Sequence, residues 1–283
     1  MIRKRYEWKL KGRDIQFGDR TLLMGILNVT PDSFSDGGKY QDPDRAYGRA
    51  LEMEDEGADI IDIGAESTQP GSARISEAEE LRRLVPVLKR LRDKLSIPIC
   101  VDTYKTAIAE KAFELGVEII NDPSSLTFDP GLAKVVSNQD GGLILNHMRG
   151  TPETWAKLPP MKDVMGSIVS DLEATIHRAL HSGVPKNRIV IDPGLGFGKR
   201  KEQNSEILAR LPQLASLGYP VLIGPSRKSF LARPTQEETA FANAAAVTAA
   251  IFGGAHIVRV HEVREMKIVA QTADAVIAAM PED

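Results

Sequence analysis

Short apolar runs rich in β-branched residues recur along this chain, and longer stretches with helical periodicity lie between them. The runs fall at 22–28, 59–64, 97–102, 117–121, 143–147, 188–192, 220–224 and 257–261, each closing on polar residues. The intervening and following stretches fall at 44–56, 75–94, 106–115, 130–137, 163–181, 202–217, 237–252 and 263–279. Apolar residues three and four apart, as in Leu81, Leu84, Val85, Leu88 and Leu91, mark the second of these as an amphipathic helix. Neighbouring parallel strands need a crossover, so strict alternation specifies a parallel sheet. Eight such units in 283 residues fit a closed α/β cylinder, a (β/α)8 TIM barrel, better than an open sheet. Tyr6–Phe17, with Gly12 and Gly18 as turn markers, reads as an added N-terminal hairpin over the barrel's lower mouth. With no Ser/Gly-rich linker, low-complexity block or repeat, 1–283 is expected to be one domain.

Composition narrows the functional classes. Apolar residues make up 42% and charged residues 27%, and the net charge is −3, which excludes a disordered chain. Such a balance gives no general reason to bind nucleic acid or a membrane surface. The most apolar stretch, 241–255, falls short of the roughly 18–20 residues a span needs and contains Asn243 and Thr248. Basic residues near the N-terminus are not followed by an apolar run, so no signal peptide is expected. Cys100, the sole cysteine, cannot form an internal disulfide, and a reducing cytoplasmic setting is the expectation.

In parallel barrels chemistry sits at the C-terminal ends of the strands. Here those ends carry Asn28, Asp62 with Glu66 beyond it, Asp102, Asn121, His147, Asp192, Lys228 past Gly224, and Arg259 with His261. A packing-only barrel would show one or two such residues rather than a ring. Asp62 shares the face of Ile60 and has an equally good structural reading. Arg259 and His261, two apart on a strand, face one way and suit a polyanion. Gly224-Pro-Ser-Arg-Lys-Ser229 combines backbone N–H groups, hydroxyls and cations as an anion site would. Asp192-Pro-Gly-Leu-Gly-Phe-Gly198 is glycine-rich but has neither dinucleotide nor P-loop spacing. The segment 28–38 is long, polar and hydroxyl-rich, as a mobile lid is, and 66–72 carries hydroxyls and a Pro-Gly turn; each also reads as a solvated surface connection. His177 and His181 lack a third metal ligand and read as a solvated face, while His256 lies at the wrong end for chemistry.

Met24-Gly-Ile-Leu-Asn-Val-Thr-Pro-Asp-Ser-Phe-Ser-Asp-Gly-Gly38 strongly resembles the first signature of bacterial dihydropteroate synthases, and Gly64-Ala-Glu-Ser-Thr-Gln-Pro-Gly71 resembles their second loop. Val101-Asp-Thr103, Ile120-Asn-Asp122, Asn146-His-Met148, Asp192–Gly198, Ser226-Arg-Lys-Ser229 and Arg259-Val-His261 are similar to the remaining motifs, in order. The resemblance implies an enzyme of folate biosynthesis, a target of sulfonamides. It joins 6-hydroxymethyl-7,8-dihydropterin diphosphate to p-aminobenzoate with Mg²⁺, by C–O cleavage to a pterin cation and then attack by the amine. It further implies that Asp102, Asn121, Asp192 and Lys228 hold the pterin, and that Asn28 ligates Mg²⁺. Asn28, Thr68, Arg259 and His261 would surround the diphosphate, and Phe34, Thr68, Pro70, Phe197, Lys228 and Ser229 the p-aminobenzoate. Asp102, Lys228, Arg259 and His261 are the implied catalytic set, in a homodimer. Gln69 stands where the family usually has Arg, which predicts weaker p-aminobenzoate and sulfonamide binding; Pro123-Ser124 and Tyr104 are further departures. Two alternatives stay open here, a methyltetrahydrofolate-binding methyltransferase domain and a non-catalytic pterin-binding paralogue.

Overall fold

A computed structural model describes residues 3–30, 43–68 and 71–281 of the protein. After a hairpin of β1 (Tyr6–Lys9) and β2 (Asp14–Phe17), eight barrel strands follow: β3 (Leu22–Asn28), β4 (Ile60–Gly64), β5 (Ile99–Asp102), β6 (Ile119–Asp122), β7 (Gly142–Asn146), β8 (Ile189–Asp192), β9 (Leu222–Ile223) and β10 (Ile257–Val260). The helices are α1 (Pro43–Glu56), α2 (Glu77–Leu91), α3 (Thr106–Glu114), α4 (Leu132–Asn138), α5 (Val164–His181), α6 (Lys201–Ala209), α7 (Gln236–Phe252) and α8 (Val263–Ala278). The sheet runs β8-β7-β6-β5-β4-β3-β10-β9, all parallel. An isolated bridge between Ile191 and Val221 joins β8 to the start of β9 and closes the barrel.

Among the expected elements that are shorter, two are cut at prolines. Helix α6 ends at Ala209 and a 3-10 turn, Leu211–Leu217, takes over, because Pro212 brings no N–H to continue the α-helical ladder. The run 220–224 yields only Leu222–Ile223 as ladder, since Pro220 cannot donate to a neighbouring strand. Helix α2 starts late because the Ser76 side chain caps it by accepting the Glu79 N–H.

Barrel packing follows the two-residue period of the strands. One set of alternate positions, including Leu23, Leu27, Ile61, Val101, Ile120, Leu145 and Ile191, packs outward against the helices. The other set turns inward, where Met24, Ile60, Cys100, Ile119, Ile144, Val190, Leu222 and Ile257 form a dry layer with Trp8, Leu10 and Phe17 of the hairpin. The hairpin therefore plugs the lower mouth, as expected. Trp8 is fully buried, its indole N–H donating to the Arg188 carbonyl at 2.9 Å. Gly142 is bare where this plug arrives: a Cβ there would come within 2.6 Å of Leu10 and 2.8 Å of Trp8. Apolar surface buried on both sides of the sheet, at roughly 25 cal/mol per Å², is the main force holding the cylinder together.

Candidate active site

Two residues further along six of the eight inward faces, the side chains change character. Above Ile60 comes Asp62, above Cys100 Asp102, above Ile119 Asn121, above Ile144 Asn146, above Val190 Asp192, and above Ile257 Arg259. The strand register puts Asn28, Gly64, Asp102 and Asn121 in one lateral row, and Asn146 beside Asp192. One end of the cylinder is thus a polar bowl resting on an apolar floor.

Arg259 and Asp62 organise the bowl. The Arg259 Nε donates to Asp62 Oδ2 at 2.5 Å and its terminal nitrogen to Asp102 Oδ2 at 3.0 Å. Asn121 Nδ2 also reaches Asp62 Oδ2, at 3.4 Å. Burial opposes the Arg259 charge, yet the two carboxylates outweigh that and raise its pKa, so it is a permanent cation. Asp102 is pushed up to about 7, by burial first; Arg259 opposes the shift and Asp62 adds to it. Asp192, bonded to the Gly194 N–H at 2.7 Å, is pushed up to about 6 by burial, against that hydrogen bond and the nearby cations of Lys199, Lys228 and Arg259. Carboxylates this close to neutrality bind a group that donates hydrogen bonds more strongly once they ionise.

Lys228 follows β9 and its ammonium lies 4.2 Å from the centre of the Phe197 ring. Burial, then the Arg259 charge, lower its pKa to about 8, while Asp192 and Asp102 oppose. The chain before it is tight: Arg227 has φ of 56°, and its guanidinium pairs with Glu262. Ser226 Oγ lies 2.9 Å from His261 Nδ1. Burial, then the cations Arg227, Arg259 and Lys228, lower the His261 pKa to about 3. His261 is therefore a neutral imidazole beside a permanent guanidinium. Gly64 leaves a gap in the wall: a Cβ there would meet Asn28 Oδ1 at 3.5 Å and Asp102 Oδ2 at 4.0 Å.

Beyond β4 the chain is tied at its base. Glu66 Oε2 accepts from Lys105 Nζ at 2.7 Å and from the Ile75 N–H at 3.1 Å. The Tyr104 hydroxyl donates to Glu66 Oε1 at 3.1 Å. Thr68, two residues on, is half-buried, and Gly71 N–H donates to the Pro152 carbonyl at 3.1 Å.

The structure thus brings Asn28, Asp102, Asn121, Asp192, Lys228, Arg259 and His261 to one mouth, with Phe197 under Lys228. Ser229 is the next residue and is exposed. Phe34, Gln69 and Pro70 lie outside the described residues. His147 turns away from the bowl, its Nε2 lying 3.1 Å from Asp171 Oδ2 on α5, and burial first lowers its pKa to about 4. Asn146 takes the inward position instead, which the shared parity of Ile144 and Asn146 already indicates. Asp62 and Lys199 carry more than sequence reading gave them. Lys199 is buried and donates to the carbonyls of His147 and Gly194 at 2.7 Å each, clasping the loops after β7 and β8. Among the described residues no group of three or more His, Cys, Asp or Glu is placed to hold a metal.

The pterin binding enzyme family profile matches residues 24–261, spanning all eight barrel strands. A dihydropteroate synthase from Synechocystis sp. is 43% identical over 263 residues, covering 92% of this chain and 91% of that protein. The structure of a dihydropteroate synthase from Clostridium difficile in the presence of pteroic acid superposes with a TM-score of 0.86 at 44% identity, covering 92% of this chain and 98% of that one. One from Xanthomonas albilineans with 4-aminobenzoic acid gives 0.89 at 38%, covering 97% and 100%.

Proposed function

The chain belongs to the pterin-binding enzyme family and, within it, to the dihydropteroate synthases, and from that premise we propose how its own residues divide the work. The reaction transfers the pterinylmethyl group of 6-hydroxymethyl-7,8-dihydropterin diphosphate to the amine of p-aminobenzoate and releases diphosphate. The observation that carries the assignment of roles is the inward row of Asp102, Asn121 and Asp192 above an apolar floor, with Lys228 and Arg259 beside it.

A pterin presents a rigid edge of ring N–H, amino and carbonyl groups. Asp102 and Asp192 accept from such donors, and Asn121 and Lys228 supply donors in return. A buried polar slot of this kind is selective, because a wrong ring leaves its groups unpaired. When the C–O bond breaks, positive charge spreads into the pterin and negative charge gathers on the diphosphate. Asp102 stands by the first and Arg259 by the second, with the neutral His261 imidazole beside it as a polar partner, so preorganised groups act where charge develops. Arg259 is pinned through Nε to Asp62, which leaves its outer nitrogens free to turn from Asp102 to phosphate oxygens. No protein nucleophile is required. Thr68, Phe197, Lys228 and Ser229, with Phe34 and Pro70, form the p-aminobenzoate side.

Magnesium fits this mouth. The Asn28 amide oxygen is a hard neutral ligand beside the gap that Gly64 leaves, and Mg²⁺ characteristically takes few protein ligands plus phosphate oxygens and water. Bound there, it would neutralise charge on the departing diphosphate.

The chain acts as one domain and pairs as a homodimer through α7 and α8, whose Phe241, Phe252, Ile268 and Val276 are 66, 40, 65 and 46% exposed. Among the described residues no helix is long and apolar enough to cross a membrane, and the buried free thiol of Cys100 suits the cytoplasm.

The test is diphosphate release by purified protein. Release should require the pterin diphosphate, p-aminobenzoate and Mg²⁺ together; release indifferent to p-aminobenzoate would overturn the reading.

A further inference from the structure

The Glu66 cluster makes no hydrogen bond to the groups assigned to the pterin, yet its lysine is fully engaged while Glu80 Oε1 stays buried without a hydrogen-bond partner. Lys105 Nζ donates to Glu66 Oε2 at 2.7 Å, to the Ile75 carbonyl at 2.8 Å and to Glu80 Oε2 at 2.5 Å, so all three ammonium protons are committed. The side chains of Lys105, Glu66 and Glu80 are only 10, 12 and 2% exposed. Glu66 and Ile75, nine positions apart, are also joined directly by the Ile75 N–H. One lysine therefore clips the two feet of the second loop together and anchors both to α2. Tyr104 adds a second tie to Glu66, and its ring packs edge-on against Phe128, centroids 5.1 Å apart, under the Arg74 guanidinium. Arg83 on α2 holds the Ala65 carbonyl at 2.9 Å, just before Glu66. The contacts at Ala65, Glu66 and Ile75 fix where the chain leaves β4 and where it returns.

We infer that Glu66 and Lys105 are a positioning pair that pre-orders the second loop for the aromatic amine substrate, leaving the pterin slot to be formed by the barrel strands themselves. This rests on the reading of Thr68 as part of the p-aminobenzoate side. Charge-assisted hydrogen bonds among largely buried groups hold geometry better than neutral ones. Ends already held in place leave less of the segment to be ordered when the ligand arrives, and the saving appears as affinity for that ligand alone. Purely structural support would weaken both substrates and the fold together.

The test uses Glu66→Gln, which keeps size and an acceptor but removes the charge facing Lys105, and Tyr104→Phe, which deletes one hydroxyl. KM for p-aminobenzoate should rise about tenfold in the first and about threefold in the second, equivalent to roughly 1.4 and 0.7 kcal/mol. The calorimetric Kd for 6-hydroxymethylpterin and kcat at saturation should stay within about twofold. Lys105→Arg, which retains charge and donors, should keep KM near that of the parent, whereas Lys105→Met should raise it. An unchanged KM in folded Glu66→Gln, or a pterin Kd and melting temperature that fall in step with it, overturns the inference. Should Glu66→Gln not fold, Tyr104→Phe and Lys105→Met decide by the same criteria. A parent protein without p-aminobenzoate-dependent diphosphate release would instead refute the functional reading beneath it.

Discussion

Arg259→Met exchanges a guanidinium held between two carboxylates for an apolar chain of similar reach, and its effect on stability should depend on pH. In the parent, Arg259 is bonded to Asp62, which is fully buried, and to Asp102, largely buried. Removing the cation from such a pair usually costs about 3–5 kcal/mol, because an uncompensated charge stays in a poorly solvated site. The protein has one escape, which is to protonate. Asp102 already titrates at about 7 with Arg259 opposing the shift, so losing Arg259 drives it higher still. Between about pH 6 and 9 the folded variant then holds more protons than the folded parent, while the unfolded chains hold the same number. The stability difference therefore grows as pH rises, at most about 1.4 kcal/mol per pH unit for one proton. Urea unfolding at pH 8 should show a loss of about 3–5 kcal/mol, shrinking by about 1–2 kcal/mol at pH 6. Adding Asp62→Asn should recover part of the loss, since the two sites are in contact. A loss below about 1 kcal/mol, or one equal at both pH values, would show that the guanidinium does not neutralise these carboxylates.

Three further expectations are open to direct measurement. Lys228→Ala should lower pterin affinity by at least about tenfold in calorimetry, with the circular dichroism melt little changed, because the ammonium lies near Asp102, Asp192 and Phe197 rather than in the core. His256 sits between the Val221 N–H and the Lys4 carbonyl, and burial first lowers its pKa to about 4 from an ordinary 6.5. A depressed pKa contributes stability present above pH 6.5 and lost as pH falls toward 4, so His256→Gln should unfold with a shallower pH dependence between 6.5 and 5, by about 1–2 kcal/mol, in denaturant titrations. Phe241→Glu, at a side chain 66% exposed on α7, should leave the melting temperature within a few degrees while shifting the light-scattering mass from dimer to monomer, and a dimer that persists would place the interface elsewhere.

The cylinder was legible because strand and helix periods differ. The run 22–28 coincides with β3, and the residues closing the runs at 102, 121 and 192, with Arg259 inside the last run, all turn to the bowl. Parity was equally readable and settles Asn146 over His147, yet a histidine at a strand end draws attention that an asparagine does not. The tertiary pairings were not legible. Asp62 meets Arg259 across 197 positions, and Glu66 meets Lys105 across 39. Local sequence has no period that encodes such partners; closing the barrel brings them together. Element ends depended on single atoms, such as the N–H that Pro212 and Pro220 lack.

The hairpin plug also constrains how the molecule is made. Trp8 is bonded to residue 188, Lys4 to residue 256 and Arg3 to residue 274, spans of 180, 252 and 271 positions. Residues 3–8 thus wait for residues as far along the chain as 274 before they find their partners, and contacts so distant in sequence close slowly. Trp8 emission should accordingly report the final stitch of assembly rather than its beginning.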